Sequence, residues 1–430
     1  MNEKAYNTEL LNGAFACWSA ASGRLAQRTR LKRYTYGDQW GDLVRDAAGN
    51  TVREGDAIAA AGRKPLTNNL IRRLVKTIVG RYRSLRPEWR KDFPADIDAA
   101  NQLSELDARM LEEFLISGMA VQRVAHETRR GVTDLYVDNV SPARFFCNAF
   151  TDPRGTDIEM AGMMHDMSLA EVLSRFGGRD RRRMDALRRL FAATDAAAFP
   201  VAHESTDFFV APQGRCRVFE LWTLEAIETS RRNIADISFA WRCRWLAPDG
   251  FTLASYFSPW PHRSHPFVVK FYPLTDGEVH PFVEDVLDQQ RFINRLIVLI
   301  DKVMGASAKG VLLFPVDQLP RGFSWEDVAA RWSATDSIIP ITGRSPVIPQ
   351  QINTPTGDSG AYRLLDIEMK LFNEASGVSD ALLGNDSGGN GGQALYESRV
   401  RNSTIALQDT FESFNAFITA RDSKIKTLIG

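Results

Sequence analysis

Apolar residues recur every three or four positions in two early stretches, Leu70, Leu74, Ile78, Val79 and then Leu103, Leu106, Met110, Leu111, Phe114, Leu115. That spacing lines one side of a helix, so the chain up to about residue 130 is expected to be mostly helical. The intervening RSLRPEWRKDFP is expected to break it. From Gly131 the period shortens. TDLYVDNV alternates before SPARFF, and a helix is predicted from Ser168 to Phe176, with Ser168 as N-cap and Glu171 at capping-box spacing. RCRVFELW and FAWRCRWL, within Arg215–Leu224 and Ile237–Leu246, alternate as half-buried strands of one antiparallel sheet. Proline and glycine crowd between Pro248 and Pro281, predicting turns and a change of direction.

The clearest helix follows Pro281. Phe282, Val286, Ile293, Ile297, Ile300 and Met304 form an apolar stripe, while Asp288, Arg291, Arg295 and Lys302 fall elsewhere. Roughly 25 residues at 1.5 Å each span about 37 Å. Such a helix is long for a small domain and suits a strut packed against copies of itself. Ser307 to Thr356 changes to short, proline-punctuated pieces and is expected to be a compact β-rich insertion. A second helix is predicted from Asp358 to Ser376, then the loop GNDSGGNGG, then a last helix from about Gln393. The fold class is therefore α+β, with two struts flanking a small domain.

At 430 residues the chain suffices for two or three domains with a sizeable core. Lys plus Arg total 53 and Asp plus Glu total 53, so no global basic excess holds it to nucleic acid. One local exception is GGRDRRRMDALRR, most simply a solvated helix face and alternatively a DNA or partner patch. Cys17, Cys147, Cys216 and Cys243 are too scattered for a metal or disulfide framework and are expected to be reduced, buried thiols. The N-terminus lacks the basic-then-apolar order of a signal peptide, and the longest apolar stretch, Leu296 to Ile300, is too short for a membrane span. A soluble protein made inside a cell is expected.

Enzyme motifs fail on context. Gly389, Gly391 and Ala394 satisfy GxGxxA, but a helix rather than a strand precedes them, and Gln393 and Ala394 stand where a phosphate loop needs Lys and Ser or Thr. Gly, Ser and Asn there fit a flexible loop. His262 and His265 form an HxxH pair beside Trp260 with no third ligand nearby, and fit surface or interface histidines. His165 in MMHDM fits a structural histidine. Neither HExxH nor GxSxG occurs. No catalytic residue, metal or cofactor is expected.

Several segments, in order, carry a resemblance: YTYGDQW at Tyr34–Trp40, TNNLIRRLVKTIVGRYRSLRPEW at Thr67–Trp89, LEEFLISGMAVQRV, VDNVSPARFFCNAFTDPRGTDIEMAGMMHDMSLAEV, and HPFVVKFYPLTDGEVHPFVEDVLDQQRFINRLIVLIDKV. In the last, Asp288, Gln289, Gln290 and Asn294 stand at D-x-Q-x-x-x-N positions. Together these resemble the portal proteins of tailed bacteriophages, the head-to-tail connectors, over nearly the whole chain.

The resemblance implies a portal fold: a wing over residues 1–280, with a helical N-terminal part and a β-rich part at about 131–280; stem helix 1 at 281–306; a small β-rich clip at 307–356; stem helix 2 at 357–383; a tunnel loop at 384–393; and a channel-side or wing helix at 394–430, with the crown absent or truncated. It implies a ring of about twelve copies closed by head-to-tail contacts. The ring would form a double-stranded DNA channel at one capsid vertex of the virion, assembled in the bacterial cytoplasm, for genome packaging and ejection. Asn385, Asp386, Ser387, Gly388, Gly389, Asn390, Gly391 and Gly392 would touch DNA. Phe323, Trp325 and Trp332 of the clip would dock the terminase large subunit and then a head-tail adaptor, although aromatics also fill cores. Capsid and scaffolding proteins are further implied partners; a membrane is not. Net neutrality suits a conduit, because each phosphate neutralised strengthens binding. The alternatives are another head-tail connector, or a metal-dependent nucleic-acid hydrolase using His262 and His265.

Overall fold

The computed structural model describes residues 2–46, 48–89, 93–129, 131–192, 207–231, 234–307, 311–333, 338–343, 346–352, 358–378 and 405–429. The chain divides into two units: Met1–Tyr36 with Ile71–Asp285 and Ser376–Gly430, and Gly37–Leu70 with Val286–Ala375.

In the first unit, five antiparallel strands run in the order Phe145–Cys147, Met160–Met167, Cys216–Arg231, Ile234–Leu246, Thr252–Phe257. The two alternating segments are neighbours as expected, with Phe219 opposite Leu246 and Trp222 opposite Cys243. Alternation gives this sheet two buried faces. Cys216, Val218 and Trp222 enter one core with Trp241, Trp245 and Leu253. Phe219 and Leu221 enter another, closed by Leu11 and Ala14 of the helix Glu3–Ala20 and by Phe146 and Phe208. Gly162 permits close approach of the strands, since a Cβ there would lie 2.4 Å from the Glu220 carbonyl oxygen. A second sheet has the order Phe267–Phe271, Met119–Arg129, Val132–Asn139.

The helix Leu169–Phe176 is capped as expected, the Ser168 hydroxyl accepting from the Glu171 N–H at 3.2 Å. The strands of this unit, however, begin at Met119 rather than after Gly131: Gly118, at φ 67°, ends the helix Leu103–Ser117 and turns the chain directly into the sheet. The expected break falls late in RSLRPEWRKDFP, because the helix Leu70–Trp89 runs through Pro87 before it ends. The proline-rich stretch after Pro248 still contributes Thr252–Phe257 and Phe267–Phe271 to the sheets. Cys216 and Cys243 are buried, and Cys17 and Cys147 partly buried; all four are free thiols.

A 3-10 segment at Phe282–Val286 leads into the helix Leu287–Ser307 of the second unit, which packs along the helix Asp358–Ala375. Between them, the expectation of a β-rich insertion needs correction for the described residues. Val311–Leu313 pairs with Gln350–Ile352, but the longest element there is a helix, Trp325–Ser333. Ser324 starts it: its hydroxyl accepts from the Asp327 N–H at 3.1 Å, and its own N–H donates to the Asp327 carboxylate at 2.8 Å. That reciprocal cap uses Asp in place of the usual Glu or Gln.

Candidate functional site

The second unit is organised around a buried set of uncharged amides. Gln290 and Asn294, one turn apart on the helix Leu287–Ser307, lie on the face that also buries Val286 and Ile293. The Gln290 amide donates to the Asn68 carbonyl at 2.7 Å, and its oxygen accepts from the Leu70 N–H at 2.9 Å. Asn294 Oδ1 accepts from the Asn68 N–H at 3.1 Å, and its amide donates to Gln39 Oε1 at 2.5 Å. Gln39 in turn donates to Asn69 Oδ1 at 3.1 Å, and the Trp40 indole donates to Thr67 Oγ1 at 3.0 Å. The backbone donors just before the helix Leu70–Trp89 thus receive side-chain acceptors from elsewhere in the chain, meeting the need every helix start has.

Three sequence elements quoted for the resemblance therefore meet here: the GDQW turn, the TNN lead-in and the Gln290 and Asn294 pair. Gln39, Asn68 and Asn69 were not singled out from sequence as site residues. Their signal was two amides, Gln290 and Asn294, at an apolar helical spacing. Asp288 does not join the cluster; its side chain is 87% exposed and accepts from Arg291 at 3.4 Å. Gln289 is half-buried, its Oε1 lacking a donor among the described residues. Arg295 pairs with Glu54 at 2.7 Å beside the cluster.

Along the paired helices, apolar side chains stay at the surface. Phe292, Leu299 and Met304 on one helix and Tyr362, Leu364, Ile367, Met369 and Leu371 on the other are all exposed. Further along the chain, Trp325 is exposed, its ring edge-on to Phe314 at 6.1 Å; Phe323 is half-buried beneath Arg331 at 4.8 Å; and Trp332 is half-buried. Trp325 is not a core residue. Asn385 to Gly392, expected to form the tunnel loop, lie outside the described residues.

The first unit buries charge instead. Glu220, on the core face of its strand, accepts from Arg123 at 2.8 and 3.3 Å, from the Trp222 indole at 3.0 Å and from His165 Nε2 at 3.0 Å. Arg123 also grips Glu127, which Arg175 reaches at 2.7 Å while stacking over Trp245. Burial opposes ionisation of both carboxyls, but the arginines outweigh it: Glu220 is held well below the ordinary carboxylate range and Glu127 is lowered to about 2. Burial keeps His165 below its usual value, against the pull of Glu220. A second pair joins Arg421 of the helix Gln408–Ile429 to Asp107, with Gln122 accepting at 3.2 Å.

The histidine pair is not a surface feature. His265 is buried, its Nδ1 accepting from the Phe267 N–H at 3.2 Å with its ring edge-on to Trp241, and burial lowers His262 to about 4. Among the described residues no three His, Cys, Asp or Glu side chains are grouped to hold a metal. No described helix is long and apolar enough to cross a membrane.

The arrangement is an α+β protein whose sheet-bearing unit is interrupted in sequence by a pair of long helices rooted in amides and left apolar at their surface. The model of the Phage P22-like portal protein family matches residues 14–424, and the chain belongs to that family. It is a phage portal, a protein of DNA packaging. None of the curated proteins matches it.

Proposed function

We propose that about twelve copies close head-to-tail into a ring at one capsid vertex, forming the channel through which double-stranded DNA is packaged and ejected. The observation that carries this reading is the exposed row Leu364, Ile367 and Leu371, which turns out of the helix Asp358–Ala375 while Phe372 alone is fully hidden among its described large apolar side chains. A helix exposing that much apolar surface is covered by another protein surface in its working state. A closed heterologous ring supplies such cover from an identical neighbour without self-complementarity.

In this reading, residues 281–306 and 357–383 are the stem, 307–356 the clip, and Asn385 to Gly392 the loop that meets DNA through weak polar and steric contacts. Trp325, with Val316 and Ile338 also exposed, belongs to the surface that docks the terminase large subunit and then a head-tail adaptor. Capsid and scaffolding proteins meet the wing. The function is structural, and the chain turns over no substrate; a divalent-metal nuclease assay on purified protein is expected to show no cleavage.

Assembly is tested by Ile367→Glu with Leu371→Glu. Both side chains are exposed in the single chain, so circular dichroism should match the wild type, whereas negative-stain images should lose their rings. Rings of unchanged diameter and yield would overturn the assignment of these helices to the subunit contact.

A further inference from the structure

The helix Arg181–Leu190 of the first unit carries a basic surface that a neutral conduit leaves unexplained. Its inner side is fixed: Leu187 and Phe191 enter the tryptophan-rich core, and Arg183 donates to the carbonyls of Phe176 (2.7 Å) and Leu253. Asp180 caps it, accepting from the Arg182 N–H at 2.9 Å. The helix is therefore held in one orientation by groups that take no part in its outer surface.

Positions 181 and 188, and 182 and 189, are each two turns apart and share the outward side, about 10 Å from one another along the axis. That side carries four arginines around a single acid, Asp185, which Arg188 occupies at 2.8 Å. Arg181 and Arg182, with Arg179 just before the helix, have no ion-pair partner among the described residues. All five arginines are exposed. In a chain whose formal net charge is zero, this is a concentrated positive surface.

We infer that this face binds the phosphate backbone of duplex DNA, through residues other than those proposed above for the channel. Two observations favour a nucleic acid over an acidic protein. The cations are all arginine, whose planar fork matches phosphate oxygens two at a time. The outward side holds no large apolar residue, Ala186 being its sole apolar member, whereas a specific protein contact needs an apolar centre. A spacing of about 10 Å lets the two arginine pairs engage different phosphates of one duplex. The contact reads no base sequence; it holds the backbone, and salt weakens it.

The test uses the full-length protein and a fluorescent 20-base-pair duplex, with anisotropy measured from 50 to 200 mM salt. Arg181→Glu, Arg182→Glu and Arg189→Glu combined should weaken binding at least about tenfold at low salt, and should flatten the dependence of log K on log salt by roughly 3 for three lost contacts. Arg181→Gln, Arg182→Gln and Arg189→Gln should do the same to a smaller degree, with less risk to folding. Replacing the same three by Lys should preserve the salt slope, because the charges remain. Lys76→Glu, exposed on the helix Leu70–Trp89, should change neither quantity. Unchanged affinity and slope in both the Glu and Gln variants would overturn the inference. So would equal weakening by Lys76→Glu, or binding of polyglutamate to the wild type in place of the duplex.

Discussion

The two units hold their polar interiors by opposite means. The sheet-bearing unit places full charges at its centre, Arg123 with Glu220 and Arg421 with Asp107, and surrounds them with tryptophan and phenylalanine. The helical unit uses neutral amides at its root, with the Glu54 and Arg295 pair beside them, and leaves leucine, isoleucine and methionine at its surface. A buried ion pair is costly to desolvate and costly to break, so it enforces one arrangement over a narrow range of conditions. An amide set satisfies buried donors with no dependence on pH. The first unit fixes its interior with charge; the second fixes its root with amides and presents apolar side chains along its helix pair.

The sharpest way to break that contrast is to remove one charge from the first unit. Glu220→Ala leaves Arg123 buried with Glu127 as its remaining carboxylate partner and takes acceptors from His165 and Trp222. A loss of about 3–5 kcal/mol is expected in denaturant unfolding. Arg123→Met combined with Glu220→Leu, which removes both charges, should cost less than Glu220→Ala alone. If the double variant is the worse of the two, the pair stabilises by attraction rather than by specifying the arrangement.

Acid should separate the units next. The folded-state pKa of Glu127 is lowered to about 2 from an ordinary 4.5, burial being outweighed by Arg123, Arg175 and Arg129. A depressed carboxylate contributes stability that is fully present above about 4.5 and is lost as the pH falls through about 2. Hydrogen exchange followed between pH 5 and pH 2 should therefore show the strand Met119–Arg129 losing protection before the amides of Gln290 and Asn294. Glu127→Gln should shrink the acid-dependent part of that loss.

The same contrast explains what could be read from the sequence. The stripe through Ile293 and Ile300 follows from burial on one side of its helix, and the strand in RCRVFELW formed where expected, although both of its faces are buried and not one. Gln290 and Asn294 interrupt such a stripe, which signals a buried polar contact. Their partners lie far upstream, Gln39 being 255 positions from Asn294, and no local pattern names them. The strand Met119–Arg129 was hidden because Gln122 and Arg123, both buried, look like surface residues until Arg421 and Glu220 are placed beside them. The helix Trp325–Ser333 was missed because its cap is completed by Asp327, one methylene shorter than the residue the capping pattern usually shows.

A smaller effect tests the amide root. Asn294→Ala removes the acceptor of the Asn68 N–H and the donor to Gln39, but strands no charge. Its expected cost is about 1–3 kcal/mol, below that of Glu220→Ala, and it should be the same at pH 5 and pH 8. A pH-dependent cost would show that ionised neighbours, Glu54 with Arg295 first among them, carry part of the cluster.

The smallest effect compares the units at equal chemistry, one serine cap in each. Ser168→Ala and Ser324→Ala both delete a hydroxyl that accepts a helix N–H, a change worth about 1 kcal/mol to the helix itself. The helix Leu169–Phe176 sends Val172 and Phe176 into the tryptophan-rich core, so its loss is transmitted to the whole first unit. The helix Trp325–Ser333 fully hides only Val328 among its described residues, so it can fray without drawing other elements with it. Ser168→Ala should therefore lower the global unfolding midpoint. Ser324→Ala should leave that midpoint in place and speed amide exchange only within its own helix. Equal global shifts from both would mean that the segment between the long helices is as tightly tied to its surroundings as the helix Leu169–Phe176 is, and the contrast between the two units would not hold.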